Sequence, residues 1–300
     1  MECSQQEKFL IIGVKGLVGS SLAEVISPKH PFLGTCYKRL SGNCISLNIG
    51  NALEVSKVIN QYKPRYVIHC ANLSGGVDFC EKNPQDAEDF HYTATQSIGR
   101  ACKTVGAKFV FISTECVFDG QKIEYCETDS KNPKNVYGMC KAKSEDWIIK
   151  NLSEYIIVRT MGVFGWQPET KTPNALMKLY FACRQKEEMF VPDFRFGTPT
   201  YAKDLAAAIV EMALSKESGV FHVVGQTYIS RYEWLKKSAD FLGWDSKCLV
   251  KTPKESSDIA FRPHKVKLLT DKFRSQFKTK LHTLEETLTI IKSEMGVEIS

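Results

Sequence analysis

Short runs of apolar residues alternate with longer segments of helical period in the first half of the chain. Phe9 to Ile12 is such a run, and the glycine-containing segment after it leads into a helix that ends near Ser27. Similar β-type runs cover residues 32–37, 45–47, 66–70, 108–112 and 155–158. Continuous apolar runs are typical of parallel strands buried on both faces, with helices as the crossover connections. The pattern therefore predicts an α/β fold with a doubly wound parallel sheet.

The regular alternation ends after Gly165, where proline-bearing and polar segments follow. Helices are predicted at 86–105, from Lys143 onward, and at 175–184, 203–214, 231–242 and 282–295, with short strands at 189–191 and 220–224. We expect residues 1–165 to form a larger first domain, to which elements at about 187–225 return. Residues 166–186 and 226–300 are then expected to form a smaller second domain.

Composition agrees with a globular protein that needs no metal or disulfide to fold. The 300 residues are 43% hydrophobic, which suffices for a large core. The formal net charge of +6 is spread along the chain and does not form a basic run. A few basic residues lining a cleft for a phosphorylated small molecule account for this excess, so we do not predict nucleic-acid binding.

Cysteine usage and the absence of an apolar leader favour a cytoplasmic protein. The eleven cysteines are odd in number, contain no C-x-x-C pair and lie mostly in apolar stretches, so they are expected to be reduced. No His, Cys, Asp and Glu cluster has metal-ligand spacing, and no metal is predicted. No apolar stretch is long enough to span a membrane, and no membrane contact is predicted.

A glycine-rich turn follows the first predicted strand. Gly13, Gly16 and Gly19 have the spacing G-x-x-G-x-x-G and open a helix. Glycines in this position let the chain turn sharply and let backbone N–H groups approach a pyrophosphate, which the helix N-terminus stabilises. The turn therefore predicts a dinucleotide site.

The end of the second predicted strand indicates which dinucleotide binds. It reads Cys36-Tyr37-Lys38-Arg39 and lacks the acidic residue that would bind the ribose hydroxyls of NAD. Two cations and an aromatic ring suit a 2′-phosphate, which favours NADPH over NADH; a solvated Lys-Arg pair is the alternative. The residues predicted to contact the cofactor are Gly13, Lys15, Gly16, Leu17, Val18, Gly19, Tyr37, Lys38, Arg39, Asn48, Ile49, Cys70, Ala71, Tyr137 and Lys141.

Tyr137 and Lys141 lie four residues apart, hence on one face if the segment is helical. A ketone that receives hydride develops alkoxide character and needs a proton. Tyrosine can deliver that proton if a nearby cation lowers its pKa. We therefore predict Tyr137 as the general acid, Lys141 as the cation that tunes it, and Thr114, at the end of a strand, as a hydrogen-bond partner of the substrate carbonyl.

In combination and order, these motifs resemble the dTDP-4-dehydrorhamnose reductase family of extended short-chain dehydrogenases/reductases. The resemblance includes Ser113-Thr-x-x-Val-Phe-Asp-Gly120, Tyr137-Gly-x-x-Lys141, Gly197-Thr-Pro-Thr-Tyr-x-x-Asp-Leu205 and Phe261-Arg262-Pro263. It implies a Rossmann-type NADP-binding domain, a smaller C-terminal sugar-nucleotide-binding domain, and reduction by NADPH of a nucleotide-linked 4-keto-6-deoxyhexose. It also implies that Arg262 contacts the sugar nucleotide and that the protein forms a homodimer, as is usual in the family.

The chain departs from this family next to the catalytic threonine. Glu115-Cys116 stands where Asp-Tyr is usual, and His91 stands where asparagine is common, so the pocket for substrate around Thr114, Glu115 and Cys116 is expected to differ. Related bifunctional 3,5-epimerase/4-reductases carry a cysteine at the Cys116 position and a lysine with which Lys178 aligns loosely. Epimerisation through Cys116 and Lys178 is therefore one alternative, and Cys116 as a small buried residue is the other.

The regulatory beta subunit of methionine adenosyltransferase resembles the same family. This resemblance implies a third possibility, in which the protein keeps a nucleotide site but acts by binding a catalytic partner. The complete set of Thr114, Tyr137 and Lys141 favours an enzyme.

Overall fold

Seven parallel strands form the central sheet. The structure is a computed structural model that describes residues 7–37, 43–170, 172–252 and 259–296. The strands are β1 (Phe9–Ile12), β2 (Phe32–Cys36), β3 (Cys44–Ser46), β4 (Tyr66–His69), β5 (Lys108–Thr114), β6 (Tyr155–Thr160) and β7 (Gly219–His222). Their spatial order is β7-β6-β5-β4-β1-β2-β3, and all neighbouring pairs are parallel. The predicted α/β class and doubly wound sheet are confirmed. The order reverses between β1 and β4, where the carboxyl ends of the strands leave a crevice for a ligand.

Helices cover both faces of this sheet. The longer ones are α1 (Leu17–Ile26), α2 (Ala52–Tyr62), α3 (Ala94–Val105), α4 (Val136–Asn151), α5 (Ala175–Gln185), α6 (Ala202–Leu214), α7 (Arg231–Leu242) and α8 (Leu284–Glu294). Alternate residues of a strand point to opposite faces. Phe9 and Ile11 accordingly pack in a core cluster with α1 and α6, whereas Leu10 and Ile12 pack in a second cluster with α2 and α3.

Shorter elements complete the chain. Single-turn or two-turn helices lie at Gly76–Lys82, Pro84–Ala87 and Asp271–Gln276, a π-helix at Glu88–Thr93, and 3₁₀ turns at Glu115–Val117 and Ser246–Cys248. Two-stranded parallel pairs join Met189–Pro192 to Leu249–Thr252, Val163–Phe164 to Thr200–Tyr201, and Glu124–Tyr125 to Lys267–Leu268, and an antiparallel pair joins Phe196–Gly197 to Ile229–Ser230. Within the described ranges, no helix is both long and apolar enough to cross a membrane.

The predicted return of the chain to the sheet is made by α6 and β7. Met189–Pro192, which also falls in the predicted return segment, pairs instead with Leu249–Thr252 outside the central sheet. That pair packs with α5, α7 and α8 around a separate core that contains Leu179, Trp234 and Leu288. We refer to this part of the molecule as the C-terminal lobe; the exact domain limits stay a prediction.

Two helices differ from the sequence-based expectation. The predicted helix at 86–105 is interrupted, because a π-helix at Glu88–Thr93 precedes α3. The helix predicted from Lys143 begins earlier, at Val136, where the Asn135 side chain caps it by accepting the N–H of Gly138 at 2.7 Å. The earlier start includes both Tyr137 and Lys141 in α4.

Candidate active site

The glycine turn between β1 and α1 requires glycine for two different reasons. Gly13 has a φ of +97°, and a Cβ there would lie 2.7 Å from the backbone of Ala71. A Cβ at Gly19 would lie 2.2 Å from the carbonyl oxygen of Gly13. At Gly16 a Cβ would meet the same oxygen at 3.5 Å, an ordinary contact, so the fold itself does not require glycine there.

The first turn of α1 has the donors that a pyrophosphate needs. Gly16 is the N-cap residue and provides no side-chain cap, so the N–H groups of Leu17, Val18 and Gly19 point out of the helix end without one. The turn therefore fits a dinucleotide phosphate.

The other predicted cofactor residues follow the carboxyl ends of neighbouring strands. Cys70 and Ala71 follow β4, and Cys70 N–H donates to the Ile12 carbonyl at 3.0 Å. Asn48 and Ile49 follow β3. All of them lie at the same edge of the sheet as the glycine turn.

Lys15 follows β1 and Tyr37 follows β2 at this edge of the sheet. Tyr37 is 61% exposed, and its carbonyl accepts the Ser46 hydroxyl at 3.1 Å. Burial raises the pKa of the Cys44 thiol at the start of β3, and the positive charge of the nearby Lys15 ammonium opposes this shift. Lys15 and Tyr37 suit the predicted 2′-phosphate; Lys38 and Arg39 lie outside the described residues.

The first turn of α4 is packed directly on the 3₁₀ turn after β5. A Cβ at Gly138 would lie 2.2 Å from the carbonyl oxygen of Cys116, so only glycine allows this approach. Asn135 also donates from its amide to the Phe261 carbonyl at 2.8 Å, which ties the start of α4 to the C-terminal lobe. These contacts bring Tyr137 next to Thr114.

Lys141 is buried beneath Tyr137. Its Nζ donates to the Ile112 carbonyl at 2.8 Å and lies 5.8 Å from the Tyr137 ring centroid. Burial lowers the pKa of Lys141 from 10.5 to about 8, while Glu145 opposes this shift. Burial raises the pKa of Tyr137 well above 10, and Cys116 and Glu115 raise it further. The predicted lowering of the Tyr137 pKa by Lys141 is therefore not found in this state, because desolvation of the phenol is the larger effect.

The Thr114 hydroxyl both donates and accepts a hydrogen bond. It donates to Glu115 Oε2 at 2.8 Å and accepts the backbone N–H of Cys116 at 3.1 Å. Burial raises the pKa of Glu115 and of the Cys116 thiol above their ordinary values. Thr114, Glu115, Cys116 and Tyr137 thus form one connected group.

His91 lies against this group from below. Its ring meets the Tyr137 ring edge-on at 5.1 Å, and no described residue forms a hydrogen bond with either ring nitrogen of His91 or of His69. Burial, with the charge of Lys141, lowers the pKa of His69 to about 3 and that of His91 to about 2. Both imidazoles are therefore neutral.

Glu145 supports the group from the next turn of α4. It accepts the Ser113 hydroxyl at 2.5 Å and binds Arg159 in a two-point contact, with Nη2 at 2.7 Å and Nε at 3.0 Å. Glu145 and Arg159 are both buried. Glu145 thus connects α4 to β5 through Ser113 and to β6 through Arg159. Thr114 is the last residue of β5.

Three arginines lie together on the side of the site formed by the C-terminal lobe. The antiparallel pairing of Phe196 with Ser230 makes Arg195 and Arg231 neighbours, and Arg231 N–H donates to the Arg195 carbonyl at 2.8 Å. Arg262 forms an ion pair with Asp78 at 2.8 Å.

The charge of Arg262 contributes to lowering the pKa values of Arg195 and Arg231. Burial, followed by repulsion from Arg262 and Arg231, lowers the pKa of Arg195 to about 10. Burial and Arg262 lower the pKa of Arg231, while Glu115 opposes the shift. The residue as a whole is exposed at the surface, while neighbouring groups crowd its guanidinium, and Arg262 and Glu115 are near enough to influence its pKa. The arginine cluster (Arg195, Arg231 and Arg262) therefore faces the Thr114–Glu115 end of the site.

Lys178 is not brought into this arrangement by any contact that the structure describes. It is exposed on α5. Cys116, by contrast, is buried, and Glu115, Asn135 and Arg262 influence the pKa of its thiol. The predicted pairing of Lys178 with Cys116 has no structural support.

Several residues that shape the site were not predicted from the sequence. Arg195, Arg231, Asp78, Asn135 and Glu145 come together only through long-range pairing. Asn135 alone had a local signal, because asparagine directly before a helix is a common cap. Among the described residues, no group of three or more His, Cys, Asp and Glu side chains is arranged to hold a metal ion.

The doubly wound sheet, the glycine turn and the Tyr137–Lys141 helix define an oxidoreductase of the extended short-chain dehydrogenase/reductase class. Residues 7–296 match the family model described as the RmlD substrate binding domain. The chain belongs to this family.

Named relatives agree with this assignment. The spore coat polysaccharide biosynthesis protein SpsK of Bacillus subtilis is 29% identical over 85% of this chain and 87% of its own length. Methionine adenosyltransferase 2 subunit beta of Xenopus tropicalis is 28% identical over 77% of this chain and 71% of its own. The crystal structure of dTDP-4-dehydrorhamnose reductase from Bacillus anthracis in complex with NADP superposes with a TM-score of 0.87, at 26% identity, over 97% of this chain and 100% of that one.

Proposed function

We propose that this protein is an NADPH-dependent reductase that acts on the 4-keto group of a nucleotide-linked 4-keto-6-deoxyhexose. The observation that carries the proposal is the placement of Thr114, Tyr137 and Lys141 at the carboxyl edge of the sheet, with the arginine cluster facing them. The similarity to a dTDP-4-dehydrorhamnose reductase that binds NADP supports it.

The residues at the glycine turn would hold the cofactor. N–H groups at Leu17 to Gly19 suit its pyrophosphate, and Lys15 and Tyr37 suit the 2′-phosphate. When bound, NADPH supplies the hydride.

Tyr137 is proposed to protonate the oxygen of the reduced carbonyl. Its raised pKa means that the phenol carries its proton at neutral pH and releases it only to a strongly basic group, such as the alkoxide that forms as hydride is added. Lys141, fixed by the Ile112 carbonyl, places a positive charge below the phenol and stabilises the phenolate that remains after proton transfer. Thr114 must release Glu115 to donate to the substrate carbonyl, and a raised pKa of Glu115 weakens that competing bond by favouring the neutral acid.

The arginine cluster is proposed to bind the diphosphate of the nucleotide sugar. Three guanidinium groups that repel one another are relieved by an anion with two negative charges, and arginine presents donors in a fork that matches phosphate oxygens. The position of the cluster opposite Thr114 leaves the sugar between the anion site and the catalytic group.

The test is NADPH oxidation with dTDP- and UDP-linked 4-keto-6-deoxyglucose, each with and without a separate 3,5-epimerase. We expect oxidation that requires the epimerase and that is lost in Tyr137→Phe. Tight NADPH binding with no oxidation of any keto sugar would overturn the proposal. In that case binding to a methionine adenosyltransferase catalytic subunit in a pull-down would establish the regulatory alternative, which the 28% identical relative makes the next one to test.

Cys116 supports one second candidate, a bifunctional 3,5-epimerase/4-reductase. Its thiol lies in the connected group beside Glu115 and Tyr137, where it could exchange a proton next to the ketone. Oxidation of NADPH without added epimerase, lost in Cys116→Ser while the pre-epimerised substrate is still reduced, is the result that would identify this activity. The homodimer and the cytoplasmic location stay predictions from the sequence.

A further inference from the structure

Two cysteines of the C-terminal lobe lie in contact although they are 65 residues apart. The Sγ atoms of Cys183 and Cys248 are 3.1 Å apart. Cys183 is in the last turn of α5, and Cys248 ends the 3₁₀ turn Ser246–Cys248 that follows α7. Both side chains are half-buried, so a small reagent reaches them from solvent.

A disulfide requires a further approach of about 1 Å between these sulfur atoms. Neither cysteine lies on a strand of the sheet, so no ladder of hydrogen bonds holds them apart. Cys248 belongs to a short turn between α7 and Leu249–Thr252, where a small movement disturbs few backbone hydrogen bonds. The distance between the two sulfur atoms is therefore close to that of a bonded pair.

A second close pair of thiols shows that proximity of sulfur atoms is not sufficient. The Sγ atoms of Cys36 and Cys44 are 2.9 Å apart, but the parallel register places Cys36 opposite Ser46 and Cys44 opposite Gly34. An offset of two residues along the strands combined with the spacing between strands separates the Cα atoms by about 8 Å. Cysteines more than about 7 Å apart are not bridged without movement of the backbone, here of two strands in the central sheet.

The surroundings of Cys183 and Cys248 belong to the lobe that carries the arginine cluster. Trp166, Tyr180 and Trp244 pack against one another with ring centroids 5.0 to 6.3 Å apart, and Trp166 and Trp244 pack against the same core as the two cysteines. Cys248 follows the helix that begins at Arg231. A bond between the cysteines would therefore fix α5 against the segment that follows α7.

We propose that Cys183 and Cys248 are a reversible dithiol–disulfide site that locks the C-terminal lobe, with glutathione disulfide as the class of oxidant. One of the two cysteines attacks a sulfur of glutathione disulfide and releases one glutathione thiol, which leaves a mixed disulfide on that cysteine. The other cysteine then attacks the protein sulfur of the mixed disulfide, forms the intramolecular disulfide and releases the second glutathione thiol. The two cysteines lose two electrons and two protons, and one glutathione disulfide is reduced to two thiols.

Either sulfur can be the donor in the contact between Cys183 and Cys248, so either thiol can react first. In a reducing compartment such a bond is transient and reports an oxidising shift. The proposal does not depend on the reductase activity.

The test is thiol mapping of the wild-type protein across a series of reduced and oxidised glutathione mixtures. Unreacted thiols are alkylated, and peptides are identified by mass without reduction. We expect a peptide pair linked through Cys183 and Cys248, together with a rise in Tm on the order of 5 °C that dithiothreitol reverses. Cys36 and Cys44 should be alkylated in the same sample.

Variants separate this site from general oxidation. Cys183→Ser should abolish both the linked peptide and the rise in Tm, whereas Cys36→Ser should retain both. Two results overturn the proposal: Cys183 and Cys248 both alkylated, or carrying separate glutathione adducts, across the whole series; or an equal rise in Tm in Cys183→Ser.

Discussion

A Cβ atom at Gly138 would lie 2.2 Å from the carbonyl oxygen of Cys116. The helix with Tyr137 and Lys141 therefore rests directly on the turn that follows Thr114. Because the contact is between two backbones, no side-chain rotation relieves it. Tyr137 and Thr114, the proposed catalytic pair, are held together because position 138 has no side chain.

Gly138→Ala is expected to lower kcat strongly. The added methyl group pushes the start of α4 away from the turn at Glu115–Val117, and a misplacement of about 1 Å at a catalytic group costs on the order of a hundredfold in rate. The measurement is steady-state NADPH oxidation. Met139→Ala is the control, because Met139 is exposed on the same helical turn; equal losses in both variants would contradict the explanation.

Gly16→Ala is expected to fold normally and to bind NADPH weakly. The methyl group meets the Gly13 oxygen at an ordinary 3.5 Å, so the free energy of unfolding should change by less than about 1 kcal/mol. We nevertheless expect the methyl group to hinder the approach of the pyrophosphate, because Gly16 is the residue directly before the N–H groups of α1. Fluorescence titration with NADPH measures the affinity, and thermal melting measures the fold.

Gly19→Ala is the matched variant for this position. Its methyl group would lie 2.2 Å from the Gly13 oxygen, so folding as well as binding should fail. If Gly16→Ala instead bound NADPH with the affinity of the wild type, the cofactor would not approach this turn.

Lys141→Met is expected to abolish activity and yet to stabilise the protein at neutral pH. Burial lowers the pKa of Lys141 from 10.5 to about 8, so the unfolded chain binds more protons between these values. The cost of burying the ammonium is thus fully present below about pH 8 and is relieved as pH rises toward 10.5. The stability margin of the variant over the wild type should shrink over the same interval.

Urea unfolding between pH 7 and pH 10 measures this margin. Lys150→Met serves as control, since Lys150 is exposed on the same helix and should show no such trend. A margin for Lys141→Met that stays constant with pH would mean that burial does not lower the pKa of Lys141 in the folded protein. In wild-type kinetics, kcat/KM for the keto sugar should fall as pH rises through about 8.

Arg231→Ala is expected to raise KM for the nucleotide sugar about tenfold to a hundredfold and to leave KM for NADPH unchanged. The loss of one guanidinium from the arginine cluster removes charge-assisted hydrogen bonds to the diphosphate but nothing at the glycine turn. Arg231→Lys should recover part of the loss. Arg184→Ala, at an exposed residue of α5, controls for net charge; a parallel rise in both KM values for Arg231→Ala would place the arginine elsewhere in the mechanism.

Features encoded locally were predictable from the sequence. The strands at Phe9–Ile12 and Tyr66–His69 are uninterrupted apolar runs, and the glycine turn follows the first of them in the spacing that a phosphate-binding turn requires. Helix α4 was predicted to begin too late because its first two turns are not amphipathic: Gly138, Cys140 and Lys141 are all buried. A buried lysine within a helix has no periodic signal.

Features that depend on distant pairing were not predictable. Arg195 and Arg231 become neighbours only through the pairing of Phe196 with Ser230, and no local pattern marks either arginine. The direction of the Tyr137 pKa shift was wrong for a similar reason. The spacing to Lys141 reveals a nearby cation, but the degree of burial of the phenol is set by the turn at Glu115–Val117 and by His91.

The π-helix at Glu88–Thr93 accommodates one residue more than an α-helix of the same length, which shifts everything after it by about 100° around the axis. Glu88 can thus pair with Lys143, while Ile98 on α3 faces the sheet. The carbonyl of His91, displaced from the regular ladder, accepts the hydroxyls of Thr95 and Ser144, each at 2.7 Å. A deletion of one residue in this segment would leave Thr114, Tyr137 and Lys141 in place in the sequence and would still be expected to rotate His91 away from Tyr137. The number of residues in this helix, and not only their identity, therefore decides which side chain packs against Tyr137.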